Sequence, residues 1–121
     1  MRVTTYYFTP EGVESGTSQE RVATRPLSWA LELGHTSARA ACKNGLRFRV
    51  EITADADLGL SADGASRRVQ KIPIWEARPM VAENPKLGFE ERFLADIGDE
   101  SATFPVSVGA WYPRPIIAAG I

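Results

Sequence analysis

The most regular hydrophobic pattern in the chain falls at residues 46–52, where Leu46, Phe48, Val50 and Ile52 alternate with Arg47, Arg49 and Glu51. A period of two predicts a strand with one buried and one wet face. Residues 3–8 (VTTYYF) are β-branched and aromatic, and Thr9-Pro10-Glu11-Gly12 closes them as a turn would, so a second strand is predicted there. Residues 14–20 (ESGTSQE) are polar and read as a loop.

Between these strands the period changes. Leu27, Leu31, Ala38, Ala41 and Cys42 fall near one face at helical spacing, which predicts a helix over 27–44. Thr24 or Ser28 is placed to cap it, Pro26 suits its first turn, and Asn44-Gly45 is a natural stop. Gly34 interrupts the run and suggests a break at Gly34-His35-Thr36.

Residues 53–66 (TADADLGLSADGAS) read as a long turn-rich loop, and 68–75 (RVQKIPIW) as the strand returning from it. Pro73 lacks an N–H and places that strand, or its end, at a sheet edge. Asn84-Pro85 resembles a helix start, and Phe89, Phe93 and Ile97 recur at i, i+4 and i+8 before Gly98. Phe104, Val106, Val108, Ala110 and Tyr112 alternate again, with Pro105 suggesting an edge.

The order is strand, helix, strand, strand, helix, strand. It predicts a single α+β domain over 1–121, with two helices on one face of a mainly antiparallel sheet of about four strands. A chain of 121 residues is one domain's worth, long enough for one core.

Charge changes this picture more than composition does. Net charge is −1, but its distribution is uneven. Residues 20–49 carry Arg21, Arg25, Arg39, Lys43, Arg47 and Arg49 against Glu20 and Glu32. Residues 89–100 carry Glu90, Glu91, Asp96, Asp99 and Glu100 against Arg92. Complementary segments favour docking onto another molecule or a second copy. A heterologous contact of this kind closes into rings or runs on as filaments. The sequence Trp111-Tyr112-Pro113-Arg114-Pro115 adds aromatic and Arg anchors beside stiff prolines.

Catalytic chemistry finds little support. The stretch from Asp55 through Asp57 to Asp63 superficially resembles a calcium loop. An EF-hand needs an oxygen ligand at its fifth position, Gly at its sixth and Glu at its twelfth, and here those are Gly59, Leu60 and Ser66. Another cation geometry using Asp55, Asp57 and Asp63 stays open as a metal-assisted alternative, against the plainer role of building turns. One His and one Cys cannot fill a zinc site alone. His35 and Cys42 would lie about 10 Å apart on a continuous helix, so a dyad would need the helix to break. No Walker loop, dinucleotide fingerprint or other cofactor motif is present.

Nucleic-acid binding is the alternative to protein docking. Residues 29–46 have some helix-turn-helix character, with Arg39 and Lys43 on the second half. Arg47 and Arg49 on one strand, with Arg67, Arg68 and Lys71 on the next, would form a basic hairpin face. The single Cys42 excludes an intramolecular disulfide and fits a reducing compartment. The N-terminus lacks the apolar region of a signal peptide, and no stretch approaches the roughly 18 apolar residues of a membrane span.

The expectation is therefore a non-catalytic interaction or self-assembly module without cofactor or membrane partner, cytoplasmic or virion-associated. Its general type is that of small phage or mobile-element structural, adaptor or inhibitor proteins. The protein-interface residues expected are Arg21, Arg25, Glu90, Glu91, Trp111, Tyr112 and Arg114.

Overall fold

A computed structural model describes residues 1–21, 26–95 and 108–116, giving only the backbone for 19–21 and 56–58. The described elements are β1 (Arg2–Phe8), β2 (Glu14–Arg21), α1 (Leu27–Lys43), β3 (Arg47–Leu60), β4 (Arg67–Pro79), a 3₁₀ turn (Pro85–Leu87), β5 (Gly88–Phe93) and β6 (Tyr112–Pro115). The strands form one sheet in the order β2-β1-β3-β4-β5-β6, and every pairing is antiparallel. One helix, not two, packs on a sheet of six strands, not about four, among the described residues.

Helix α1 forms where the periodicity places it. Its sequence holds one β-branched residue, Thr36, and its apolar stripe of Leu27, Ala30, Leu31, Gly34, Ala38, Ala41 and Cys42 is buried. Pro26 occupies the N-cap position in an extended conformation, without a side-chain cap. At the other end, Asn44 and Gly45 donate to the Ala40 and Cys42 carbonyls, and Gly45 takes φ +66°. The expected break at Gly34 is absent. Gly34 instead lets the helix lie against Trp75, since a Cβ there would stand 2.6 Å from the indole Cζ3. The glycine is a packing residue, and the run does not fold as a helix-turn-helix.

The helix covers the sheet face that carries Val3, Thr5, Phe48, Val50, Ile52, Trp75, Ala77, Phe89 and Phe93, all buried. The registers explain this grouping. Val3 pairs with Ile52, Thr5 with Val50, Tyr7 with Phe48, and Trp75 with Phe93, so alternate residues of neighbouring strands meet on one side. Thr5 and Ser37 hydroxyls join sheet to helix at 2.7 Å.

Three departures from the sequence pattern have physical causes. Residues 14–20 are an edge strand, not a loop. An edge strand that is largely exposed needs no hydrophobic alternation, and β2 obtains its order from pairing with β1. Residues 88–93 are strand β5, not a helix. Phe89 and Phe93 satisfy a period of two as well as one near four, and Glu91 between them is buried, which disguised the alternation. The helix start at Asn84-Pro85 yields only one 3₁₀ turn before Gly88. Gly88 has φ +130°, and a Cβ there would stand 2.4 Å from the Arg114 carbonyl oxygen, so the close approach of β5 to β6 requires glycine. Ile97, Gly98 and residues 104–107 of the expected last strand lie outside the described residues. Val108 and Gly109 form a turn, and the strand is Tyr112–Pro115.

The third departure concerns the acidic loop. Both strands run on past the sheet body. β1 pairs with β3 only as far as Thr53, and β5 pairs with β4 only from Trp75. Beyond these points β3 and β4 pair with each other, from Thr53↔Pro73 to Leu60↔Arg67. Pro73 adjoins the bulge at Ile74, the extra residue of β4 between Ile52↔Trp75 and Thr53↔Pro73, where the ribbon leaves the body and a missing N–H is tolerated. About seven residues per strand project this ribbon roughly 23 Å. Its tip is tied by Ser61 and Ser66, and by Asp63, whose Oδ1 accepts from the Ala65 N–H (3.0 Å) and from the Ser61 hydroxyl.

Candidate functional site: a cationic cleft and two glutamate hubs

The covered face carries a buried acid, Glu91, on β5. Its side chain is 2% exposed, and its Oε2 receives His35 Nε2 from α1 (2.8 Å) and Arg114 Nε from β6 (3.0 Å). The His35 ring meets Trp75 edge-on at 5.5 Å and leans over Phe89 at 5.9 Å. Burial pushes the Glu91 pKa up, but the hydrogen bonds and charges of His35 and Arg114 outweigh it and hold the carboxyl below its ordinary value.

This hub floors a cleft of about 380 Å³ between α1, β5 and β6. His35, Arg39 and Arg114 supply its polar lining, and Phe89, Pro113, Pro115 and Ile116 its apolar lining. Arg39 is exposed and has no ion-pair partner among the described residues.

The opposite face carries a charge ladder. Glu76, with its side chain 9% exposed, bonds Arg49 Nη2 at 3.0 Å and Arg92 Nε at 2.5 Å. Arg49 also reaches Glu51 at 3.0 Å, and the Tyr6 hydroxyl donates to Glu51 at 2.8 Å. Arg78 pairs with Glu90 at 2.6 Å. The guanidiniums of Arg78 and Arg92 lie 3.8 Å and 4.6 Å from the Trp111 ring centre.

These contacts sort the residues singled out from sequence. Of the expected protein-interface set, Glu90 is paired to Arg78, Trp111 lies under two arginines, and Glu91 and Arg114 form the covered hub. Tyr112 pairs in register with Glu91. Arg21 ends β2 without a described side chain, and Arg25 lies outside the described residues.

The six cations considered for nucleic acid do not gather into one patch. Arg39 and Lys43 are exposed on α1, on one side of the sheet. Arg47 and Arg49 lie on the other side, with Arg47 Nε bonded to the Ala82 carbonyl (3.1 Å) and Arg49 held by Glu51 and Glu76. Arg67 and Arg68 are at the ribbon's end, some ten residues or about 33 Å from Arg49.

Asp55 is on the ribbon, and Asp57 is known there by its backbone alone. Asp63 is engaged in the tip turn, whose hydrogen bonds hold its pKa below the ordinary value. No group of three or more His, Cys, Asp or Glu residues among the described ones could hold a metal ion. Cys42 is a core residue whose thiol burial pushes up to about 11, and α1 runs unbroken between it and His35.

The cleft escaped sequence reasoning because its three polar lining residues come from positions 35, 39 and 114. The only local signal was His35 and Arg39 one helical turn apart. No helix among the described residues is long and apolar enough to cross a membrane. No family model, curated protein or solved structure matches the chain.

Proposed function

We propose that this protein is a non-catalytic interaction module that docks onto another protein or onto copies of itself, with the β3–β4 ribbon as its principal contact. The observation that carries this reading is apolar exposure on a projecting element. Leu60, Val69 and Ile72 are 61%, 57% and 39% exposed on a two-stranded ribbon. Isolated two-stranded hairpins are marginal in water, and open strand edges invite pairing. A ribbon of this kind gains most when a partner covers it. The charge ladder supports the same reading in a different way, because it neutralises the opposite face and leaves the ribbon as the distinctive surface.

Light scattering behind size exclusion, on nucleic-acid-free protein at low and high salt, tests the self-assembly form. A defined oligomer that the Val69→Ser/Ile72→Ser variant loses, with its circular dichroism unchanged, supports it. A monomer at every salt and concentration removes it and leaves a docking partner to be sought.

Nucleic acid is the second reading, favoured by one observation. A two-stranded ribbon fits a DNA major groove, and this one carries Arg67, Arg68 and Lys71. Gel shifts at low salt would then fall steeply with added salt. No shift at low salt with DNA or RNA eliminates it.

A further inference from the structure

We infer that the cleft between α1, β5 and β6 is a binding site for a carboxylate carried on an aromatic or branched apolar body. The inference is independent of the ribbon. It rests on which groups line the cleft and how they are held.

The polar lining is cationic. Arg39 and Arg114 both line it, and among the described residues Glu91 is bonded to Arg114 while no acid is bonded to Arg39. Glu91 is almost wholly buried, so its carboxylate orients His35 and Arg114 from below and does not present itself to a ligand. Two guanidiniums converging on one opening are matched to a planar acid, which accepts paired N–H donors from a guanidinium fork.

The remaining lining decides what the acid is attached to. Phe89 is a buried aromatic, Pro113 and Pro115 are rigid, and Ile116 is branched. Such a surface has nothing to offer a bare inorganic anion but would desolvate a ring or branched chain. The volume, about 380 Å³, is at the small end for ligand sites. It takes one ring with a short acidic arm. The acid can come from a free small molecule or from the C-terminal residue of a peptide, since both present the same carboxylate on the same kind of stem.

Two-dimensional ¹⁵N NMR titration tests this on the full chain. The probes are 3-phenylpropionate, its neutral amide, inorganic phosphate, and a tetrapeptide ending in Phe with a free or an amidated C-terminus. The inference expects saturable shifts at His35, Phe89 and Arg114 with a Kd of about 1 mM for the small acid. It expects the neutral amide to bind about tenfold more weakly, and Arg39→Gln to weaken the acid about fivefold while Arg39→Lys recovers part of the loss. Arg39 is exposed, so these variants keep the fold. Tighter binding of the free-acid peptide assigns a peptide terminus as the source, and tighter binding of 3-phenylpropionate assigns a small metabolite acid. Absence of saturable shifts with either acid overturns the inference. So does equal binding of acid and amide, an unchanged affinity in Arg39→Gln, or phosphate binding as tightly as the acids.

Discussion

Glu91 and Glu76 lie on opposite faces of one sheet, and each is bound by two nitrogen-bearing side chains. They differ in what surrounds them. Glu91 is roofed by α1, and its partners are a histidine on that helix and an arginine on β6. Glu76 faces away from the helix, and its partners are two arginines on neighbouring strands that are 41% and 34% exposed. The same side chain therefore performs two tasks. At position 91 it ties helix to sheet edge and holds His35 and Arg114 at the cleft. At position 76 it stitches strand to strand on a wet surface. Burial of the surroundings, more than the number of ion pairs, is expected to set how much each carboxylate stabilises.

The largest expected effect breaks the covered hub. Glu91→Ala should destabilise by about 3 kcal/mol, the low end for a buried pair because Arg114 is 43% exposed and can turn to water. Glu91→Leu should recover part of that loss by refilling the space. Equal loss in the two variants, by urea unfolding, would show that filling the site does not compensate for the ion pairs.

Next is the packing beneath the hub. Gly34→Ala should cost about 2 kcal/mol despite alanine's helix preference, since its Cβ would press on the Trp75 ring. A stabilised variant would mean that α1 and Trp75 have room to separate.

The counterpart on the open face should be weaker. Glu76→Ala is expected to cost about 1 kcal/mol and to depend on salt, because its arginines are already hydrated. A loss as large as that of Glu91→Ala would erase the distinction between the faces.

The pH dependence sharpens it further. The folded Glu91 pKa is below the unfolded one, so its contribution is complete above the ordinary carboxylate value and is lost as pH falls through the folded value. The stability gap between the native protein and Glu91→Gln should shrink as pH falls below about 4. A gap unchanged down to about pH 2 would show that the carboxylate charge is not what stabilises. The smallest effect on folding is expected at the ribbon, where Val69→Ser/Ile72→Ser should stay within about 0.5 kcal/mol of the native protein. That near-silence in folding, set against loss of association, would separate ribbon from body.

Much of the body could be read locally. The strand at residues 3–8, the helix stopping at Asn44-Gly45 and the strand beginning near Leu46 all announce themselves through period, β-branching or a stop signal. The elements that were misread share one property: their order comes from a distant partner. β2 looks like a loop because an edge strand takes its conformation from β1. β5 looks like a helix because a charged residue sits where an apolar one was expected, and Glu91 is tolerated there only because His35 and Arg114 meet it. The ribbon looks like a loop because no core pins its alternation.

The candidate site was less visible than the fold. Arg39 was legible as an exposed cation and Arg114 as an anchor beside prolines, but nothing local places them on one cleft. Periodicity and turn chemistry are short-range properties, and they sufficed for the helix and the inner strands. Strand order, the partner of each charge and the existence of the cleft depend on which residues meet after the chain has crossed the sheet, and burial decides those contacts collectively.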